Sequence, residues 1–206
     1  MQPRIAWANP PMHIAFAAAL LGGLGLFLGD PTLVIGVRVA AEAAALVLCV
    51  RGNRYVAPFA VLAASLLPLA GPARGVGAIL TDAAHVLTAG IWAGGILALA
   101  SLRPPGGWRR EEATTLLERF GRVAVIAFAA TAITGLVRAT ERLHEVSDLW
   151  TTPYGIVLAL KIAGVIVMLA LSALWRRGLP AARWDAFVAV AVTGLTALLA
   201  SFPAAA

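Results

Sequence analysis

The sequence predicts an all-α membrane protein, a bundle of about seven transmembrane helices in one domain covering residues 1–206. Three observations predict it. Of the 206 residues, 61% are hydrophobic and 13% charged, whereas an ordinary soluble domain carries about 25% charged residues. The apolar residues come in long runs, each approaching the ~20 residues that cross ~30 Å of hydrocarbon. The arginines sit in the short connections between those runs, which is the pattern of membrane orientation.

Taken in order, the runs predict helices near 12–29, 32–50, 55–71, 77–101, 117–139, 153–175 and 184–202. The first is reached past a single charge, Arg4, with no clear small-residue cleavage site, so it reads as a retained helix and not as a signal peptide. It stops at Gly29-Asp30-Pro31, and the second stops at Arg51-Gly52-Asn53-Arg54. The third is short and closes on Gly71-Pro72; the fourth runs into Arg103-Pro104-Pro105-Gly106-Gly107. An acidic stretch from Glu141 to Asp148 follows the fifth, and Arg176-Arg177-Gly178-Leu179-Pro180 separates the last two. Gly25–Gly29 and Gly90–Gly94 are small-xxx-small spacings of the kind that lets helix backbones approach closely.

With seven spans, alternate connections fall on opposite sides. One side holds Arg4, Arg51, Arg54, Arg103, Arg109, Arg110, Arg176, Arg177 and Arg183. The other holds Asp30, Arg74, the acidic stretch and an uncharged C-terminus. The positive-inside rule makes the first side cytoplasmic, with the N-terminus inside and the C-terminus outside.

An ionisable residue within a span costs ~2.5–3.5 kcal/mol on insertion scales, so each needs a reason. Five lie well inside these spans: Arg38, Glu42, Asp82, His85 and Lys161. Arg38 and Glu42, at i and i+4, are spaced to neutralise each other on one helix. Asp82 and His85, at i and i+3, share a helix face. Lys161 lies eight residues after Pro153, ~12 Å along its helix, and His85 lies eight residues after Gly77, so the two are expected at similar depth. Thr131 and Thr134 add hydroxyls at that level. The functional reading is one polar cluster in the outer half of the bundle, lined by Asp82, His85, Lys161 and Glu42. The plainer reading is a set of structural ion pairs that fix helix register, which suits Arg38–Glu42 better than the other three.

Met12, His13 and Cys49 fall near the cytoplasmic ends of their helices, where soft side chains would serve as exit ligands for a monovalent metal, or simply as interfacial residues. His144 and Glu145, in the acidic outer loop, are candidates for capturing a cation, or for an ordinary solvated face. The lone cysteine excludes an internal disulfide framework and a cysteine-based metal cluster. A net charge of +6 does not imply nucleic acid, because the arginines lie in loops and not along one face. No nucleophile–base pair, Gly-rich phosphate cradle or His-Glu-x-x-His spacing points to an enzyme.

Several stretches form an ordered set: Asp82-Ala83-Ala84-His85, Ile91-Trp92-Ala93-Gly94-Gly95, Arg119-Phe120, Thr134-Gly135 and Leu149-Trp150-Thr151-Thr152-Pro153-Tyr154-Gly155. Leu158, Lys161 and a final Ser201-Phe202-Pro203 complete it. In this order the chain resembles the copper resistance D (CopD) family of bacterial inner-membrane proteins, over approximately residues 77–206. The resemblance implies copper movement from periplasm towards cytoplasm, often beside a periplasmic CopC-type carrier. It implies an inner-membrane location, in which the outer side with the C-terminus, as set by the loop arginines, is periplasmic, and His85 and Lys161 fall on the family's motif. In this reading His85 is a copper ligand, Asp82 a ligand or the acceptor behind it, and Lys161 a gating cation neutralised by Asp82 or Glu42. The sequence holds only three Met and three His, with no Met-rich or His-rich outer segment. Two other readings stay open: a b-type redox protein with one haem on His85 and His144 or on His85 alone, and a non-transporting docking partner for a periplasmic copper carrier, using the acidic loop and Trp150.

Overall fold

A computed structural model describes residues 10–53, 55–70 and 75–201, and all regular structure among them is helical. The elements are α1 (Met12–Gly29), α2 (Leu33–Val50), α3 (Val56–Leu66), a 3₁₀ turn (Pro68–Ala70), α4 (Val76–Ala89), a π-helical segment (Gly90–Gly94) and α5 (Gly95–Ala100). There follow α6 (Glu111–Thr140), α7 (Asp148–Thr151), α8 (Pro153–Arg176) and α9 (Ala182–Ser201). Among the described residues, five stretches are long and apolar enough to cross a membrane: Met12–Gly29, Leu33–Val50, Val76–Ala100, Glu111–Thr140 and Pro153–Arg176. Arg4, Arg54, Arg74, Gly71-Pro72 and Phe202-Pro203, used above, lie outside the described residues.

The chain forms two compact units, Pro11–Ala89 and the described residues from Gly90 onward. In the first, α1 packs on α2, α2 on α3, and α3 on α4. Thr32 caps α2 by accepting the Ile35 N–H at 3.4 Å, one of the orphan donors every helix start must satisfy. The third run is shorter as a helix than its hydropathy suggests. At 11 residues, α3 rises only ~16 Å, because Pro68 has no N–H to continue the ladder and the chain tightens into the 3₁₀ turn there.

In the second unit, α8 and α9 form the most extensive pair, joined through Gly178 at φ +79°, a conformation that suits glycine. Trp92, Ile96, Ala127, Met168, Ala189 and Val192 make one core, drawn from the π segment, α5, α6, α8 and α9. Leu99, Leu102, Leu117, Trp175 and Ala181 make a second, towards the arginine-bearing loops. Helix α6 begins at Glu111, six residues before the apolar run, because Glu111 and Glu112 favour a helix N-terminus although they are not membrane-like.

Close approach in both units depends on glycines other than the two spacings singled out above. Gly25, Gly29, Gly90 and Gly94 have no neighbour within 4 Å of an added Cβ among the described residues. Gly95 instead receives the ring of Phe120, and Gly155 lies directly against the Asp148 carbonyl. Spacing alone marks small residues but not the face that meets a neighbour. Gly95→Ala is therefore expected to destabilise the protein by about 1–3 kcal/mol, as overpacking does, while Gly94→Ala stays near neutral; thermal unfolding of both variants in detergent measures the contrast.

Candidate functional site

The most buried ionisable pair is on α2. Arg38 Nε donates to Glu42 Oε1 at 2.9 Å, with the side chains 12% and 5% exposed. Only Gly23 of α1 is buried, and it is buried against the Glu42 carboxylate, which occupies the space a Cβ would take. The pair neutralises itself but is not saturated, since Arg38 Nη1 and Glu42 Oε2 are buried without a hydrogen-bond partner among the described residues. Removing one member leaves the other charged and buried, at a cost of about 3–5 kcal/mol. Arg38→Leu and Glu42→Leu should each lower the melting temperature strongly, and the double variant should recover most of the loss; a double-mutant cycle reads the coupling.

On α4, Asp82 and His85 share one half-buried face, one turn apart as their spacing requires. The neighbouring hydroxyls turn inward to their own helix, Thr81 to the Gly77 carbonyl at 3.0 Å and Thr88 to that of Ala84 at 2.7 Å. Both residues belong to the Pro11–Ala89 unit, as do Arg38 and Glu42, whereas Lys161 is half-buried on α8 in the other. Thr131 and Thr134 likewise donate to the carbonyls of Ala127 and Ala130 on α6. Met12 and His13 are exposed in the first turn of α1, and Cys49 is half-buried in the last turn of α2. Among the described residues, no group of three or more His, Cys, Asp or Glu side chains is gathered to hold a metal ion.

The loop after α6 is organised by Asp148 and not by His144. Asp148 Oδ2 accepts the backbone N–H of His144 at 2.8 Å and of Glu145 at 3.0 Å. Glu145 accepts from the Ser147 hydroxyl, Glu141 pairs with Arg138 at 2.9 Å, and Arg142 lies 5.3 Å above the Tyr154 ring. The loop's acids are thus largely engaged with their own surroundings. Thr152 then caps α8 by accepting the Gly155 N–H at 3.0 Å, with Pro153 in the first turn.

The N–H groups of Glu145 and His144 hold the Asp148 carboxyl below its ordinary value of 3.8. A lowered carboxyl value contributes order that is present above the unfolded value and lost as pH falls through the folded one. Amide protection of His144 and Glu145 should therefore persist down to about pH 4 and collapse below it; in Asp148→Asn it should be reduced at neutral pH. Hydrogen exchange measures both.

The sequence reading missed a third feature, at the far end of α8. Asp185 in the first turn of α9 is fully buried, and Ser172 donates to its Oδ2 at 2.5 Å, while Oδ1 has no partner among the described residues. An acid in a first helical turn reads as an ordinary helix start. The available signal was Ser172, thirteen positions back across a tight hairpin. Beside it, Trp175 is 3% exposed, packs edge-on to Trp108 at 4.8 Å, and buries an unpartnered Nε1. Ser172, Trp175 and Arg176 help line a cavity of about 150 Å³ between α5, α6 and α8. A more open cleft of about 350 Å³ shares its Leu117, Ala173 and Arg176.

Residues 114–191 match the family model described as copper resistance protein D (CopD). No curated protein and no solved structure gives a significant match. The matched segment contains Phe120, Thr134-Gly135, the Leu149–Gly155 stretch, Lys161 and Asp185, and begins after Asp82, His85 and the Trp92–Gly95 stretch. The match covers under half of the chain, and the apolar helices around it fit a multi-pass membrane protein.

Proposed function

We propose that the protein moves copper across the bacterial inner membrane from periplasm towards cytoplasm, through a polar site in the outer half of a seven-span bundle. The observation that carries this reading is the CopD match over α6–α9, on a chain whose helices α1, α2, α4–α5, α6 and α8 are apolar and long enough to span. In the proposed topology α3 and α9 complete seven crossings, with the arginine-rich loops cytoplasmic, the N-terminus inside and the C-terminus periplasmic.

Copper is the substrate in this scheme. Cu(I) is content with two or three soft or imidazole ligands, so a single histidine with few helpers suits an ion that must bind and leave. His85 would supply the imidazole. Asp82, on the same face of α4, would accept from the second ring nitrogen and fix the ring. Lys161, the chain's single lysine, half-buried on α8, would act as the gating cation. Met12, His13 and Cys49 would serve as soft ligands on the cytoplasmic side, with His144 and Glu145 on the capture side. A periplasmic CopC-like carrier is the proposed donor.

Cells expressing the protein should accumulate more copper than control cells, and His85→Ala should remove the excess while the protein still reaches the membrane in equal amount. Elemental analysis of washed cells provides the measurement. Unchanged accumulation in the variant would remove His85 from the site, and no excess in the wild type would remove the transport reading altogether.

A further inference from the structure

The cavity between α5, α6 and α8 has the make-up of a ligand site, and none of its residues takes part in the proposed copper path. Its walls are apolar and aromatic, with Trp92, Phe120 and Phe128 prominent. Its volume of about 150 Å³ corresponds to roughly five waters, or to a short length of lipid chain. One buried donor, Trp175 Nε1, has no partner among the described residues, although the residue is 3% exposed and lines the cavity. An orphan indole N–H in a membrane segment is costly unless an acceptor reaches it.

The mouth is basic. Arg176 lines both the cavity and the cleft, and its guanidinium crosses to α6, where it lies within 4 Å of the point a Cβ on Gly121 would occupy. Arg177 and Glu118 line the cleft beside it, leaving one net positive charge and one carboxylate acceptor. Arg109, whose Nε donates to the Gly178 carbonyl at 3.4 Å, brings a further cation to this end of the unit. An apolar slot with a basic mouth at the end of a membrane helix fits a lipid with an anionic head.

We propose that this cavity and cleft bind an anionic phospholipid, phosphatidylglycerol in particular. The phosphate lies against Arg176 and Arg177, which recognise its oxygens by charge-assisted hydrogen bonds. A headgroup hydroxyl donates to Glu118. The ester carbonyl accepts from Trp175 Nε1, and the upper acyl chain fills the space between Trp92, Phe120 and Phe128. The assignment rests on the chain lying in a bilayer and is independent of copper.

Native mass spectrometry of the purified full chain, titrated with phosphatidylglycerol or phosphatidylcholine, tests it. The wild type should retain phosphatidylglycerol at least about tenfold more strongly, a preference of the size that two charge-assisted contacts produce. Arg176→Gln/Arg177→Gln, on exposed positions, should fall to the phosphatidylcholine level. Trp175→Phe, which keeps an aromatic ring beside Trp108, should weaken phosphatidylglycerol severalfold with little change in melting temperature. Equal retention of the two lipids by the wild type, or unchanged phosphatidylglycerol retention in either variant, would overturn the site. Equally strong binding of soluble glycerol 3-phosphate would show a phosphate site and overturn the lipid assignment.

Discussion

A backbone placed in hydrocarbon has no water for its N–H and C=O groups, so each must be bonded within the chain. That demand produces the helices, and it also decides what polar side chains do. Thr81, Thr88, Thr131, Thr134, Thr193 and Thr196 all return their hydroxyls to carbonyls of their own helix. Arg38 and Glu42 close on each other one turn apart. Where the demand is incompletely met, at Glu42, Asp185 and Trp175, the uncompensated atoms mark places where binding or proton chemistry has something to act on.

The stretches that carry the family resemblance turn out to do structural work. Gly95 makes room for Phe120, and the Trp92 ring sets its edge against Phe128 at 5.0 Å, so the π segment is locked to α6. Thr152 and Pro153 start α8, and Gly155 lets α7 fold back against that start. These residues hold the frame of α6 and α8 in place. Of the residues with chemistry to offer, Lys161 is carried by α8, a helix that this frame holds.

The end of the second unit near Arg176 is aromatic and basic, and the buried Asp185 of the same unit is bonded to Ser172 of the cavity wall. An anionic amphiphile suits that surround, because charges interact strongly where the dielectric is low.

Apolar run length by itself determined the helices: α1, α2, α8 and the 76–100 stretch lie within a residue or two of where hydropathy puts them. It did so because membrane helices form from local hydrogen bonds and need no tertiary partner. The i,i+4 spacing likewise made the Arg38–Glu42 pair legible. Hydropathy overran at α3, where Pro68 breaks the ladder, and fell short at α6, whose first two turns are charged. Tertiary structure alone chose Gly23, Gly95 and Gly155 over the glycines of the small-xxx-small spacings, since only packing decides which face meets a neighbour. It also turned Asp185 from a helix-start residue into a buried acid bonded to Ser172, because the hairpin between α8 and α9 folds one over the other, and sequence distance does not record that.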